Sequence, residues 1–497
     1  MHAICSMKFL RDFNGYLSIN FQKTLHFSSL FPKPHSFSSS PPPLPGGDLV
    51  SAAVTILKHH RSKSRWSHLR SLLTTTRNNH SLLTPSQFSQ IALNLRNNPH
   101  LALRFFHFTL HHSLSSHSLS SYATVIHILS RSRFKVQALK VIKLAMFEFS
   151  DQNSALLEAL IKTYRVCDSA PFVFDLLVKA CLESKKIDRA IEIYEMLKSK
   201  NVFLRTSTCN SLIELVSKSR GCFAGYDLYR EIFDLDVDNV GGNGRSGKGI
   251  SVNANTFNVV MVGFYREGLV DKVEKVWEEM KMFDCVPNVY GYNVLMAAYC
   301  DDGRMEEAMR VLGEMKNNDL NVDATSYNTI IGGFCGVGDV MRAEEIYREM
   351  AMNGVETTGI TFEHLINGYC KLGDVDSAMV LYKDMCRKSF SLESKAINVI
   401  VRSLCDVNGV SKAMEFWRMV MKKYEVVSEK ESYEKLIKGL CMEGKLEEGL
   451  KLQGEMVRDG FEPGSEIYGV FIDGYTKQGN EIMASELRKE MLGKDMS

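Results

Sequence analysis

Asn258, Asn293 and Asn328 recur at an interval of 35 residues, each directly after an aromatic residue, Phe257, Tyr292 or Tyr327. A primary amide carries two donors and one acceptor and no titratable proton, so such a series suits recognition by hydrogen bonds rather than bond making. Cys300, Cys335, Cys370 and Cys405 keep the same interval, as do Met280, Met315, Met350 and Met385. Several residue types in phase at one period are the signature of a stacked helical repeat. One such unit cannot bury its own apolar face, so neighbours must stack, and function is expected on the long surface they share rather than in a single pocket.

Residues 324–358 serve as the type for the elements that must hold these side chains. "ATSYNTIIGGFC" reads as a helix with Tyr327, Ile330, Ile331 and Phe334 on one side. "GVGD" (Gly336–Asp339) reads as a turn, because glycine accepts the positive φ that a helix end needs. "VMRAEEIYREMAMNG" is the second helix, with Val340, Ala343, Ile346, Tyr347 and Met350 at helical spacing. Gly268, Gly303, Gly338, Gly373, Gly444 and Gly479 hold the same turn elsewhere, and Ala308, Ala343, Ala378, Ala413 and Ala484 mark a close approach on the second helix. The array is laid out from Pro171 as 171–205, a longer unit 206–253, then 254–288, 289–323, 324–358, 359–393, 394–429, 430–464 and an incomplete 465–497. The methionine stripe reads as core. None of the 12 cysteines forms a C-x-x-C pair, and thiols one repeat apart (about 10 Å) cannot converge on zinc, so they read as small buried hydrophobes in a reducing compartment.

The net charge of +2 hides an asymmetry. Residues 49–147 hold 13 Lys or Arg and no Asp or Glu, whereas residues 148–497 carry a net −13. A basic front and an acidic body point to an anionic partner at the first third, or to a solvated basic face or a long import signal. Residues 1–46, rich in Ser, Phe, Pro and His, fit an organellar transit peptide and Pro/Ser linker, with mitochondrion favoured over chloroplast. Residues 47–118 read as a basic, non-repetitive helical region, 119–170 as degenerate helical repeats, and 171–497 as the regular array with an insertion near 236–253. With 45% hydrophobic residues the chain can bury a core, and no stretch of 18 apolar residues predicts a membrane span.

"TSYNTIIGGFCGVGDVMRAEEIYREM" and "VYGYNVLMAAYCDDGRMEEAMRVLGEM" resemble the pentatricopeptide repeat family, in its pure 35-residue (P) subclass of plant organellar type, over roughly 119–497 and most strongly over 254–393. The resemblance implies an all-α, right-handed α-solenoid of helix–turn–helix repeats that binds single-stranded RNA in an organelle, one base per repeat, supporting transcript processing, stability or translation. In the family the fifth residue of the first helix and the last residue of the repeat face one base together. Carried over, the pairs are Asp175/Arg205, Asn210/Asn253, Asn258/Asn288, Asn293/Asp323, Asn328/Thr358, Glu363/Glu393, Asn398/Glu429 and Glu434/Gly464. Asn with Asp favours uracil and Asn with Asn or Thr favours pyrimidines, so the strand under 206–358 is expected to be pyrimidine-rich. Arg266, Lys371 and Lys477 hold the family's helix-end basic place as candidate phosphate contacts, whereas Asp301 and Asp406 occupy it elsewhere. Glu363/Glu393 and Glu434/Gly464 match no usual pair and read as facing solvent or a protein partner on the acidic outer face. An Asn near a helix start also serves simply to satisfy backbone donors.

Other chemistry is weak. "GGNGRSGKG" (Gly241–Gly249) has helical repeats on both sides rather than a strand before it, and Gly249 where a phosphate loop needs a hydroxyl, so it reads as a flexible insertion. Neither the H-x-E nor the C-x-x-C pattern of a deaminase extension occurs, and no nucleophilic triad or carboxylate cluster stands out. The expectation is no enzyme, no metal and no cofactor. The alternative to RNA reading is a helical protein-interaction scaffold, such as a mitochondrial ribosome-associated factor.

Overall fold

A computed structural model describes residues 49–59, 62–77, 83–150, 155–233, 251–390, 394–407, 409–423 and 429–494. The expected import segment 1–46 and residues 236–250 of the expected insertion lie outside them. Twenty-five helices and no β-strand occur among the described residues, so the chain is all-α. They fall into two compact units, one ending at Val286 and the other beginning at Pro287. Apart from Ala155–Thr163, which packs on Leu119–Arg131, the helices of each unit pair into hairpins, and the first helices of successive hairpins stack on one another.

The type repeat shows why the chain folds this way. Asp323 starts the first helix, Ala324–Val337, by accepting from the Ser326 N–H with its side chain. Gly338, at φ +90°, ends that helix by turning the chain into the left-handed region. Val340–Met352 then packs back, burying Val340, Ala343, Ile346 and Met350 against Tyr327, Ile330, Ile331 and Phe334. Tyr347 is only half-buried. Glycine is favoured at the turn without being required: Arg133 (φ 61°) and Lys185 (φ 57°) make the equivalent turn in the first unit. Ala308, Ala343, Ala378, Ala413 and Ala484 have no exposed surface, as close helix approach demands.

The recurring cysteines have a specific socket. A Cβ built on Gly333 would stand 2.6 Å from Cys300 Sγ, and one on Gly368 would stand 2.8 Å from Cys335 Sγ. Each thiol therefore fills a notch in the first helix of the next repeat. Burial likewise pushes the thiol of Cys370, next in the series, up to about 11. Gly333→Ala should cost about 1–3 kcal/mol through overpacking, read as a lower urea midpoint at unchanged slope.

Candidate nucleic-acid interface

Among the described residues, the last residue of a repeat is the N-cap of the next first helix, as at Arg205, Asn253, Asn288, Asp323, Thr358, Glu429 and Gly464. Asn253 Oδ1 accepts from the Thr256 N–H at 3.0 Å, Asn288 Oδ1 from Gly291 at 3.0 Å and Asp323 Oδ1 from Ser326 at 2.9 Å. Thr358 Oγ1 accepts from the Thr361 N–H at 3.4 Å. A cap contributes about 1 kcal/mol, and it also fixes the side chain's orientation. With one acceptor turned to the backbone, the other end of the group is set: an NH2 for Asn, a second oxygen for Asp.

Residue five of the first helix lies below the cap, in the seam between stacked helices. Asn328 Nδ2 donates to Thr358 Oγ1 at 3.0 Å, and its Oδ1 accepts from Thr361 Oγ1 at 2.7 Å. Asn293 Oδ1 accepts from Ser326 Oγ at 2.8 Å, and the same hydroxyl lies 3.0 Å from Asp323 Oδ1. Asp175 Oδ1 accepts from the Arg205 N–H at 2.9 Å and from Thr208 Oγ1 at 2.7 Å. Three of the sequence-derived pairs are thus joined directly or through one hydroxyl. Their residue-five side chains are deeply set: Asn293 is 1% exposed and Asn328 7%, whereas Asp323 is exposed. Any partner of this surface meets the cap residue first and the edge of the amide second.

The other pairs are placed differently. Asn258, also buried, and Asn288 belong to different units. Asn210 is buried, and its Oδ1 has no hydrogen-bond partner among the described residues; the Thr256 hydroxyl lies 3.1 Å from Asn253 Oδ1. Asn398 is fully buried, and Glu429 lies 3.6 Å from Arg402. Glu363 is buried, and Glu393 falls outside the described residues. Glu434 lies 3.8 Å from Lys430, and its Oε1 is 3.9 Å from where a Cβ on Gly464 would stand.

The aromatic before each Asn is turned to the opposite task. Tyr327 O–H donates to Glu349 at 3.1 Å and accepts from Asn353 Nδ2 at 2.7 Å, while Tyr292 O accepts from Asn318 Nδ2 at 2.8 Å. Burial raises the Tyr327 phenol above its ordinary range, keeping it a donor. These bonds lock the end of the second helix to the first, and the next residue, about 100° round, is thereby aimed at the seam.

Arg266, Lys371 and Lys477 are exposed at the last turns of first helices, eight residues past residue five and so about 12 Å along the axis. Asp301 and Asp406 hold that register in other repeats, with Asp406 paired to Lys435. The hydroxyls of Thr208, Ser326 and Thr361, which bond to residue five of the preceding repeat, are positions that the sequence reading missed. Their signal was a Ser or Thr 33 residues after residue five, replaced by Gly291, Ala396 and Ile467 in other repeats. Among the described residues no cluster of three His, Cys, Asp or Glu could hold a metal, and no helix is long and apolar enough to cross a membrane.

Comparison with known proteins supplies the family context. The PPR repeat family matches residues 252–295, 287–336 and 358–406, and the PPR repeat matches 172–202, 325–355, 431–461 and 466–496. A pentatricopeptide repeat-containing protein of Arabidopsis thaliana is 52% identical over 248 residues, 49% of this chain and 49% of the relative. A second Arabidopsis thaliana protein of that kind, named as mitochondrial, is 28% identical over 240 residues, 48% of this chain and 41% of its own length. The chain spans about half the length of the curated relatives it matches. The solved structure of PPR10 in complex with an 18-nucleotide psaJ RNA element is 16% identical, covering 91% of this chain and 80% of that one at a TM-score of 0.39.

Proposed function

We propose, from the premise that this chain belongs to the pentatricopeptide repeat family, that it binds single-stranded RNA sequence-selectively in an organelle and does so without catalysis. A repeat of this kind reads one base with two or three side chains. The observation that carries the reading is the joining of residue five to the cap residue at Asn293/Asp323 and Asn328/Thr358. An Asp cap offers an acceptor to the uracil N3–H, and an Asn cap offers a donor to the cytosine N3. The strand proposed for the surface is therefore pyrimidine-rich, with uracil under Asn293/Asp323. Held there, a transcript is kept out of hairpins and hidden from nucleases, which supports its processing, stability or translation. The mitochondrion is the proposed compartment, in keeping with the names of several relatives.

The test is crosslinking of RNA to the purified full chain, followed by sequencing, repeated with Asn293→Ala plus Asp323→Ala. The double variant should bind the selected strand about tenfold more weakly and lose preference at one nucleotide, base contacts of this kind being worth about 1–3 kcal/mol. Unchanged affinity and unchanged preference, with helicity intact, would refute the reading. Base-indifferent binding with tight co-purification of a protein complex would favour the scaffold instead.

A further inference from the structure

The basic front has a structure of its own. Ser62–Arg77, Pro99–His111 and Lys135–Glu148 are the second helices of the first three hairpins. They lie in or border the stretch 49–147, which holds 13 Lys or Arg and no carboxylate. Two of these cations reach acids beyond the stretch, Arg131 to Asp168 at 3.1 Å and Lys143 to Glu183 at 2.8 Å. Arg70, Arg96, Arg104, Arg133, Lys135 and Lys140 are exposed and have no carboxylate partner among the described residues. The Arg104 guanidinium sits 5.5 Å from the Trp66 ring centre, Trp66 lies 4.9 Å from Phe108, and Phe108 lies 4.8 Å from His112. Burial first, then the neighbouring Arg70 and His111, lowers the His112 pKa; burial first, then Lys140, lowers that of His107. Trp66, Arg104, Phe108 and His112 therefore form one cluster between the first two of these helices, with Arg70 beside His112 and Lys140 beside His107.

A surface of unbalanced like charge weakens the fold slightly, since each uncompensated pair repels. The acidic body shows that this chain has carboxylates available, yet among the described residues none pairs with these six cations. The counter-charge must come from outside. We propose that this face binds the phosphate backbone of RNA without reading its sequence. The choice of RNA among polyanions rests on the function proposed for the repeats. Capture of splayed bases needs a platform of open aromatic faces; Arg104 covers Trp66 and the exposed Phe147 lies apart from that cluster, two turns beyond Lys140, which leaves backbone contact as the chemistry offered. Attachment to a lipid surface is strengthened by a contiguous apolar patch beside the cations, whereas the exposed Val136 and Phe147 stand three turns apart on one helix.

The probe is a fluorescent RNA duplex of about 20 base pairs, whose base edges are hidden, titrated with full-length chain over a series of salt concentrations. Arg70→Gln, Arg104→Gln and Lys140→Gln together should lower the slope of log affinity against log salt by roughly 2 to 3, near one unit per lost phosphate contact. Lys272→Gln, Arg310→Gln and Lys451→Gln, which remove the same charge elsewhere, should leave the slope unchanged. An unchanged slope in the first variant overturns the proposal, as does wild-type binding to vesicles rich in phosphatidylserine with none to the duplex. Preference of wild type for uridine-rich over adenosine-rich single strands, measured in parallel, reads the repeats separately.

Discussion

Asp323→Asn is expected to move the base preferred at one nucleotide from uracil to cytosine, by tenfold or more, with little change in affinity for the best-matched strand. Asp323 Oδ1 spends one acceptor on the Ser326 N–H. An Asn can make the same cap, as Asn253 and Asn288 do at their own helices, so the helix start survives the exchange. What changes is the outer end of the side chain, from an oxygen that accepts to an NH2 that donates. A discrimination of about 1–3 kcal/mol is the ordinary worth of one such contact. Anisotropy titrations with strands differing only in U or C at the crosslinked position measure it. Continued preference for uracil would show that the cap residue does not read the base.

Trp417→Ala should be the most damaging single truncation, costing about 3–5 kcal/mol, because the indole is 2% exposed and its loss leaves a cavity that the seam cannot close. Trp417 lies 5.2 Å from the Tyr433 ring, in the first helix of the following hairpin. In an array each hairpin leans on its neighbours alone, so the damage should be local. Hydrogen exchange should quicken across Ser394–Val407, Val410–Lys423 and Lys430–Met442 and stay nearly unchanged across Val289–Asp301. Uniform quickening from 289 to 494 would show that the whole unit melts as one block.

The period, the turn and the core stripe were readable from residues alone, because stacking forces the same residue types to return in phase. Tyr327, Ile330, Phe334, Val340, Ala343 and Met350 all proved buried. Two features were hidden. Ser326 and Thr361 looked like ordinary helix-start hydroxyls, and their reach into the preceding repeat depends on how closely two helices stack. The depth of the asparagines was equally hidden: a polar residue in phase with a motif reads as surface, yet Asn398 is fully buried and Asn293 sits in a seam where the Ser326 hydroxyl satisfies its carbonyl. At Lys185, where the turn is made without glycine, local sequence pointed away from a break that the packing imposes.

The fit of Cys300 into Gly333, repeated by Cys335 into Gly368, makes the repeat 324–358 both plug and receptacle. A segment of 35 residues copied in tandem arrives with its plug already matched to the receptacle ahead and its receptacle matched to the plug behind. Lengthening by duplication thus demands no compensating change at the joint, and selection is left free to vary the outward-facing letters while the joinery stays the same.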